Sequence, residues 1–139
     1  MTHLKNGLSP ALRGALFIAT LFISLQGLPS DGALPSEEGN FLLAWTPSAT
    51  PLPLNSIHEW TLDLSWRDGR PVEGAAITVE GGMPEHNHGM PTALQAVAMD
   101  APGQYLLEGV RFHMMGKWEL ELTITADGIT DTVTIALSL

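Results

Sequence analysis

Hydrophobic and polar residues alternate strictly in two stretches of the chain. In the first stretch, which begins at Ile57, one face carries His58, Trp60, Leu62, Leu64 and Trp66. In the second, which begins at Lys117, one face carries Trp118, Leu120, Leu122 and Ile124. A period of two residues predicts β-strands with one face in the core. His58 is the first residue on the face that is predicted to point into the core, so we interpret it as a half-buried structural histidine and not as a ligand.

Shorter apolar runs bounded by glycine and proline predict the remaining strands. They lie at residues 41–45, 75–80, 92–99, 104–108 and 129–137. Asp127-Gly128 is a two-residue turn signal and predicts that the last two strands form a hairpin. No window after residue 30 has the 3.6-residue period of an amphipathic helix. About seven short antiparallel strands separated by turns predict an all-β, immunoglobulin-like sandwich.

The N-terminal segment has the pattern of an export signal. Lys5 and Arg13 precede an apolar run at 15–25 that is 11 residues long, about half of the roughly 20 residues that span a bilayer as a helix. We therefore assign 1–30 to a signal peptide, 31–39 to a linker and 40–139 to the β-sandwich domain. Because no Ala-x-Ala cleavage site follows, an uncleaved N-terminal membrane anchor is the alternative. Either way the domain is expected to be periplasmic or otherwise extracytoplasmic, secreted or tethered to the inner membrane.

Charge and cysteine content narrow the possible partners. All fifteen acidic residues lie beyond residue 30, together with four of the six basic ones. Such an acidic domain disfavours nucleic acid and anionic membrane surfaces and favours a cation or a basic protein patch. The chain has no cysteine, which excludes disulfides and thiolate ligands. A copper site in an oxidising compartment would then use histidine and methionine.

The loop at 81–91 concentrates side chains with metal affinity. Met83, His86, His88 and Met90 lie within eight residues, bracketed by glycine and proline. If residues 86–90 run extended, His86, His88 and Met90 point to one side. Imidazole and thioether together favour copper, as Cu(I) or Cu(II), over Ca²⁺ and Mg²⁺, with zinc less favoured. A solvated polar turn is the other interpretation, but methionines are unexpected in such a turn.

A second segment, 112–116, supplies further candidate ligands. Counting back from Trp118, the strand period places Met114 and Phe112 on the inward face, whereas His113 and Met115 point outward. Gly116 could introduce a bulge that resets this phase. Met114 is therefore a packing residue or a thioether ligand, and His113 is a weaker candidate.

These segments together resemble a known family. Met83-Pro84, His86-x-His88-Gly89, Gly103-x-Tyr105 and Phe112-x-Met114-x-Gly116-x-Trp118 are similar to the motifs of the YtkA-like domain family, which has FixH-type relatives. The resemblance covers roughly residues 40–139. It implies a small exported or membrane-tethered β-sandwich associated with copper handling or respiratory-oxidase assembly. Family members often carry a lipidated cysteine or a membrane anchor, and this chain lacks the cysteine.

Two functions are consistent with this sequence. The first is an extracytoplasmic copper-binding protein, a chaperone or buffer that passes the ion on by ligand exchange through His86, His88 and the methionines. The second is a metal-independent module that docks on a membrane oxidase or transporter. An enzyme is not expected, because no Ser/His/Asp set, thiol or paired carboxylate supplies a nucleophile or an activated base near the histidines.

Overall fold

The protein is an antiparallel β-sandwich in the computed structural model, which describes residues 32–139. The strands are β1 (Leu34–Pro35), β2 (Phe41–Pro47), β3 (His58–Trp66), β4 (Ala76–Met83), β5 (His88–Gly89), β6 (Gln95–Ala98), β7 (Gln104–Val110), β8 (Lys117–Ala126) and β9 (Ile129–Ser138). One sheet has the order β1-β2-β3-β7-β6 and the other β5-β4-β8-β9. The predicted all-β sandwich is confirmed.

The two alternating stretches form the centre of the core. They are β3 and β8, one in each sheet, and their inward side chains are almost fully buried. These are Trp60, Leu62 and Leu64 on β3, and Trp118, Leu120, Leu122 and Ile124 on β8. Each such side chain contributes roughly 1.5–3 kcal/mol through burial, so the core stabilises the sandwich without disulfides.

The β8–β9 hairpin also follows the sequence prediction. Asp127 and Gly128 connect the strands with φ angles of 49° and 78°, the positive values that a two-residue turn of type I′ requires. The register pairs Ala126 with Ile129 and continues to Lys117 opposite Ser138. Val133 and Ile135 are buried, whereas Ile129, beside the turn, is exposed.

Several element boundaries differ from the prediction. The strand expected at 92–99 is shortened to β6, and the two-residue strands β1 and β5 were not predicted. Of the segment interpreted as a linker, 31–39, the described residues from 32 onward carry β1 and lie against the sandwich. There Asp131 of β9 accepts hydrogen bonds from Ser36 Oγ at 2.6 Å and from the Glu38 backbone N–H at 3.0 Å. This segment was not recognisable because no local pattern specifies its contacts, which are made with β2, with the Thr132 carbonyl oxygen and with the Asp131 carboxylate.

The predicted signal peptide or anchor, residues 1–30, lies outside the described residues. Within 32–139, no helix has the length and apolar character needed to cross a bilayer.

The topology gathers all four histidines of the described residues at one end of the sandwich. At this end β3 and β8 begin, whereas β4 and β7 end. We call it the histidine rim and define it by the segments 54–58, 83–90 and 111–118. The ring of Phe112 joins the two sheets here, with its centroid 5.6 Å from that of His58 and 5.3 Å from that of Trp118.

Candidate metal-binding rim

The loop that carries His86 and His88 is a compact reversal of the chain. After Met83, residues Pro84–His86 form one 3₁₀ turn, and Asn87 adopts a left-handed conformation with φ 50°. The chain then returns along β4 as β5, with His88 paired to Met83. The condition that 86–90 runs extended is therefore met only at β5, because Pro84 favours a helical first turn and Asn87 tolerates the left-handed region.

Three imidazole rings nevertheless form a row at the rim. The His86 and His88 rings stack with centroids 5.9 Å apart, and His113 lies on the other side of His88 at 5.0 Å. Two imidazoles that bind one metal ion at about 2 Å with a tetrahedral angle have ring centres roughly 5 Å apart. His88 and His113 have this spacing, whereas His86 is stacked on His88 and exposed.

The nitrogens of this pair have few protein partners. His88 Nδ1 lies 3.3 Å from the Gly89 carbonyl oxygen. When Nδ1 carries the proton and donates it there, the lone pair of Nε2 is free for a ligand. His113 Nδ1 is buried and has no hydrogen-bond partner among the described residues. A buried polar atom in that state is unfavourable unless an ion or a solvent molecule satisfies it.

No cluster of three or more His, Asp or Glu side chains within 32–139 is arranged to hold a metal ion. An ion at this rim would therefore have two imidazole ligands and would need sulfur or main-chain groups to complete its coordination.

Met83 is the methionine closest to the histidine pair in the strand register. It lies directly opposite His88, a position at which the Cβ atoms of two residues are about 4.5–5.5 Å apart. Its side chain is only 1% exposed and belongs to the hydrophobic core. The structure thus places Met83 beside His88 and also gives it a packing role.

Met90 is already engaged by the backbone. Its sulfur accepts a hydrogen bond from the Arg111 N–H at 3.3 Å, and its methyl group lies under Gly81. The Met90 sulfur is therefore already engaged by a backbone N–H, which makes it less available to an ion.

Met114 departs from its predicted orientation. It is 36% exposed, and its carbonyl oxygen accepts a hydrogen bond from Trp118 Nε1 at 3.0 Å. The prediction that it faces inward with Phe112 is wrong, because Gly116 has φ 131° and breaks the strand period before β8 begins. Met115 is 61% exposed, as its outward assignment predicted.

Two residues of the rim were overlooked as contributors to the site. The Trp118 ring lies 6.1 Å from His88 and 5.2 Å from His113, in edge-to-face orientation with both. Trp118 thereby packs against both imidazole rings. Its hydrogen bond to the Met114 carbonyl oxygen also fixes the segment that follows His113. Gly116 leaves room for Met83, whose methyl carbon would lie 2.6 Å from a Cβ at that position. The spacing Met114-x-Gly116-x-Trp118 was the available signal.

The outer side of the rim is acidic. A groove of about 340 Å³ beside Met83 and His88 is also lined by Glu80, Glu119 and Glu121. Carboxylates along one wall raise the local concentration of cations. Glu85, next to His86, instead pairs with Lys117 at 2.8 Å. Its hydrogen bond to Lys117 lowers the pKa of the Glu85 carboxyl and raises that of the Lys117 ammonium.

His58 occupies the same rim in a different environment. It is 7% exposed, its Nδ1 lies 3.2 Å from the Ser56 carbonyl oxygen, and its ring packs on Phe112 and Trp60.

Comparisons with known proteins show what this chain is similar to. The profile of the YtkA-like family matches residues 53–123. A DUF4426 family protein from Pseudomonas aeruginosa PAO1 has a similar structure, with a TM-score of 0.53 at 15% identity over 73% of this chain and 91% of that one. The ZirS C-terminal domain has a TM-score of 0.43 at 15% identity over 100% of this chain and 87% of that one. No curated protein matches the chain.

Proposed function

Because the chain belongs to the YtkA-like family, with its candidate ligands on a rim of that fold, we propose that it is an extracytoplasmic copper-binding protein of the chaperone or buffer type. His88 and His113 supply imidazole nitrogen and Met83 supplies thioether sulfur. The observation that carries this proposal is the 5.0 Å spacing of the His88 and His113 rings beside Met83.

The donor set supports copper over other ions. Thioether sulfur selects Cu(I), and imidazole suits copper in both oxidation states. Structural zinc sites have four protein ligands, and the rim offers only two histidines in suitable positions. The carboxylates Glu80, Glu119 and Glu121 line the groove beside the site and would attract the cation before it reaches the rim.

Exposed donors at the same rim suit transfer of the ion to a partner. His86 is exposed and stacked on His88, and Met114 and Met115 have substantial exposure. An ion bound by few protein ligands can exchange them one at a time with those of an incoming protein. His86, Met114 and Met115 are therefore proposed as donors that act during delivery to a membrane oxidase or copper transporter.

Copper titration of the purified full chain tests this function. We expect His88→Ala with His113→Ala to abolish stoichiometric Cu(I) and Cu(II) binding. The matched control is His86→Ala, which removes an exposed histidine of the same rim and is expected to weaken binding less. Copper affinity that is unchanged in the His88/His113 double variant would overturn the proposal.

One observation favours a second candidate function, a metal-independent module that docks on a membrane oxidase or transporter. Four large apolar side chains on the rim have substantial exposure. They are Leu54, Ile57, Met114 and Met115. Apolar side chains grouped at one end of an acidic protein are typical of a docking surface. Pull-down of a membrane partner with and without a copper chelator distinguishes the two functions. Recovery that the chelator does not change would support metal-independent docking.

A further inference from the structure

The outer edge of β9 presents unpaired backbone groups. β9 pairs with β8 on one side, and Leu139 and Gly116 exchange hydrogen bonds at the end of this ladder. Since antiparallel pairs alternate between bonded and non-bonded positions, the odd-numbered residues of β9 bond to β8. The N–H and C=O groups of the even-numbered residues, Thr134, Ala136 and Ser138, therefore point away from the sheet.

Only the first half of this edge is covered within the described residues. The N–H of Glu37 donates to the Thr132 carbonyl oxygen at 2.9 Å, and Asp131 holds the same segment. From Val133 onward no described strand continues the sheet beyond β9. The open edge therefore consists of the backbone of 133–138.

This edge lacks the features that usually prevent strands from pairing. Thr132 to Leu139 contains no charged residue, proline or glycine, and β9 is ten residues long with an unbroken register. Natural proteins normally protect such an edge with lysine, proline, a bulge or a short strand. An unprotected edge of β-branched and apolar residues is a template for another strand.

We propose that β9 pairs with β9 of a second copy of this chain, antiparallel and centred on Ala136. In this register Ala136 faces its own counterpart, and Thr134 faces Ser138 of the other copy. The two sheets join into one continuous sheet of eight strands, four from each copy. The register uses every open backbone group and ends before Thr132, whose carbonyl is already bonded to Glu37.

Side chains and charge favour a second copy as the occupant. On the inner side, this register brings Ile135 of one copy opposite Leu137 of the other, and Leu137 is only half-buried in the single chain. On the outer side the facing residues are small and uncharged. The nearest like charges, Glu119 and Glu121 of β8, would lie three strand spacings from their counterparts. That is about 14 Å, beyond the screening length of about 8 Å at physiological salt.

A chain without cysteine permits a sharp test by cross-linking. In the full chain, Ala136→Cys places two thiols at facing positions whose Cα atoms are about 5.5 Å apart, within disulfide reach. In a dimer of Thr134→Cys, the two cysteines lie four residues apart along the paired strands, about 14 Å, which is beyond disulfide reach. We expect Ala136→Cys to form a covalent dimer on oxidation with diamide, which keeps copper out of the assay. Thr134→Cys and Ser138→Cys should cross-link only when the two variants are mixed.

Two controls decide the outcome. Thr123→Cys lies on the same face but on the interior strand β8, and it reports random collision. Ala136→Lys, added to the Thr134→Cys and Ser138→Cys mixture, places like charges at the centre of the junction and should suppress the cross-link, with circular dichroism confirming that the sandwich is folded. If Ala136→Cys cross-linked no faster than Thr123→Cys, the contact would be random collision and the proposal would be overturned. The proposal would also be overturned if Thr134→Cys alone cross-linked as fast as Ala136→Cys, because the register would then be different.

Discussion

Gly116 occupies a rim position at which an added side chain would meet Met83 directly. Its φ of 131° is a conformation that L-residues rarely adopt, and a Cβ there would lie 2.6 Å from the methyl carbon of Met83. We expect Gly116→Ala to lower the free energy of unfolding by roughly 1–3 kcal/mol, measured by urea denaturation.

A matched control for this substitution is Gly74→Ala. Gly74 also has a positive φ, 66°, but a Cβ there meets nothing within 4 Å. Both variants experience backbone strain, which is larger at Gly116 because a φ of 131° lies outside the left-handed region that Ala can adopt, and only Gly116→Ala adds the contact with Met83. Equal destabilisation of the two variants would show that Met83 is not held by Gly116.

The thioether of Met83 can be tested apart from its packing. Met83→Leu preserves the volume of the core and should change the free energy of unfolding by less than about 1.5 kcal/mol. If Met83 completes a copper site, the same change should weaken Cu(I) binding by at least about tenfold, with a smaller effect on Cu(II).

Met90→Leu is the control for Met83→Leu. The Met90 sulfur already accepts the Arg111 N–H, so its loss should leave Cu(I) affinity close to that of the natural chain. Competition titration with a chromogenic Cu(I) chelator measures both variants. A larger loss of Cu(I) affinity in Met90→Leu than in Met83→Leu would reverse the assignment of the sulfur ligand.

The sequence predicted single residues well where the strand period was unbroken. Phe112 faces inward as expected, and so do the apolar residues of β8. Met114 was assigned to the wrong side because the period was extended backward through Gly116, whose φ cannot be read from the sequence. Trp118 was recognised as core, but its hydrogen bond to Met114 depends on a loop geometry that no local pattern specifies.

At the scale of elements, one buried carboxylate of the last strand, β9, holds the segment that connects β1 to β2. Burial by itself would raise the pKa of Asp131, but hydrogen bonds from Ser36 Oγ and from the backbone N–H groups of Glu38, Thr132 and Asn40 lower it well below its usual range. A carboxyl whose pKa is lower in the folded chain stabilises the fold above its unfolded pKa of about 3.9. That contribution is lost as the pH falls below this value.

We therefore expect Asp131→Asn to lower the free energy of unfolding at pH 7 by roughly 2–4 kcal/mol. The difference from the natural chain should shrink as the pH falls below about 4. Urea denaturation at pH 7 and pH 3 measures it. Asp127→Asn, a change at an exposed turn residue, should have an effect within about 0.5 kcal/mol at both pH values. A pH-independent difference for Asp131→Asn would contradict the role of the ionised carboxylate.

The elements themselves were predictable in proportion to their length. β3, β8 and β9 carry enough alternating positions for their faces to be assigned from sequence. The Asp127-Gly128 turn signal predicted that β8 and β9 form a hairpin. The two-residue strands β1 and β5 contain no pattern, since they exist only because β2 and β4 offer them an edge. The 3₁₀ turn at Pro84–His86 was missed because the His-x-His spacing was interpreted as a strand period.

At the scale of the whole molecule, the fold places acidic side chains beside its metal-affine side chains, and this arrangement affects the rate at which a cation arrives. The chain carries a formal net charge of −9, and the groove beside His88 is lined by Glu80, Glu119 and Glu121. A field of this sign accelerates the arrival of a cation, and salt screens it. We expect the association rate constant for Cu(II) to fall several-fold between about 10 and 150 mM salt, measured by stopped-flow tryptophan fluorescence.

The groove carboxylates can be separated from the general charge of the protein. Glu119→Gln with Glu121→Gln removes two of the three carboxylates without touching a candidate ligand, so it should slow association and flatten its dependence on salt while preserving copper stoichiometry. Glu37→Gln with Glu38→Gln removes the same charge from the segment beside Asp131, which is outside the groove, and serves as the matched control. Because net charge is equal in the two double variants, a larger effect of the groove pair would locate the steering field at the rim. Equal effects would assign it to the overall charge, and a rate independent of salt would exclude electrostatic steering.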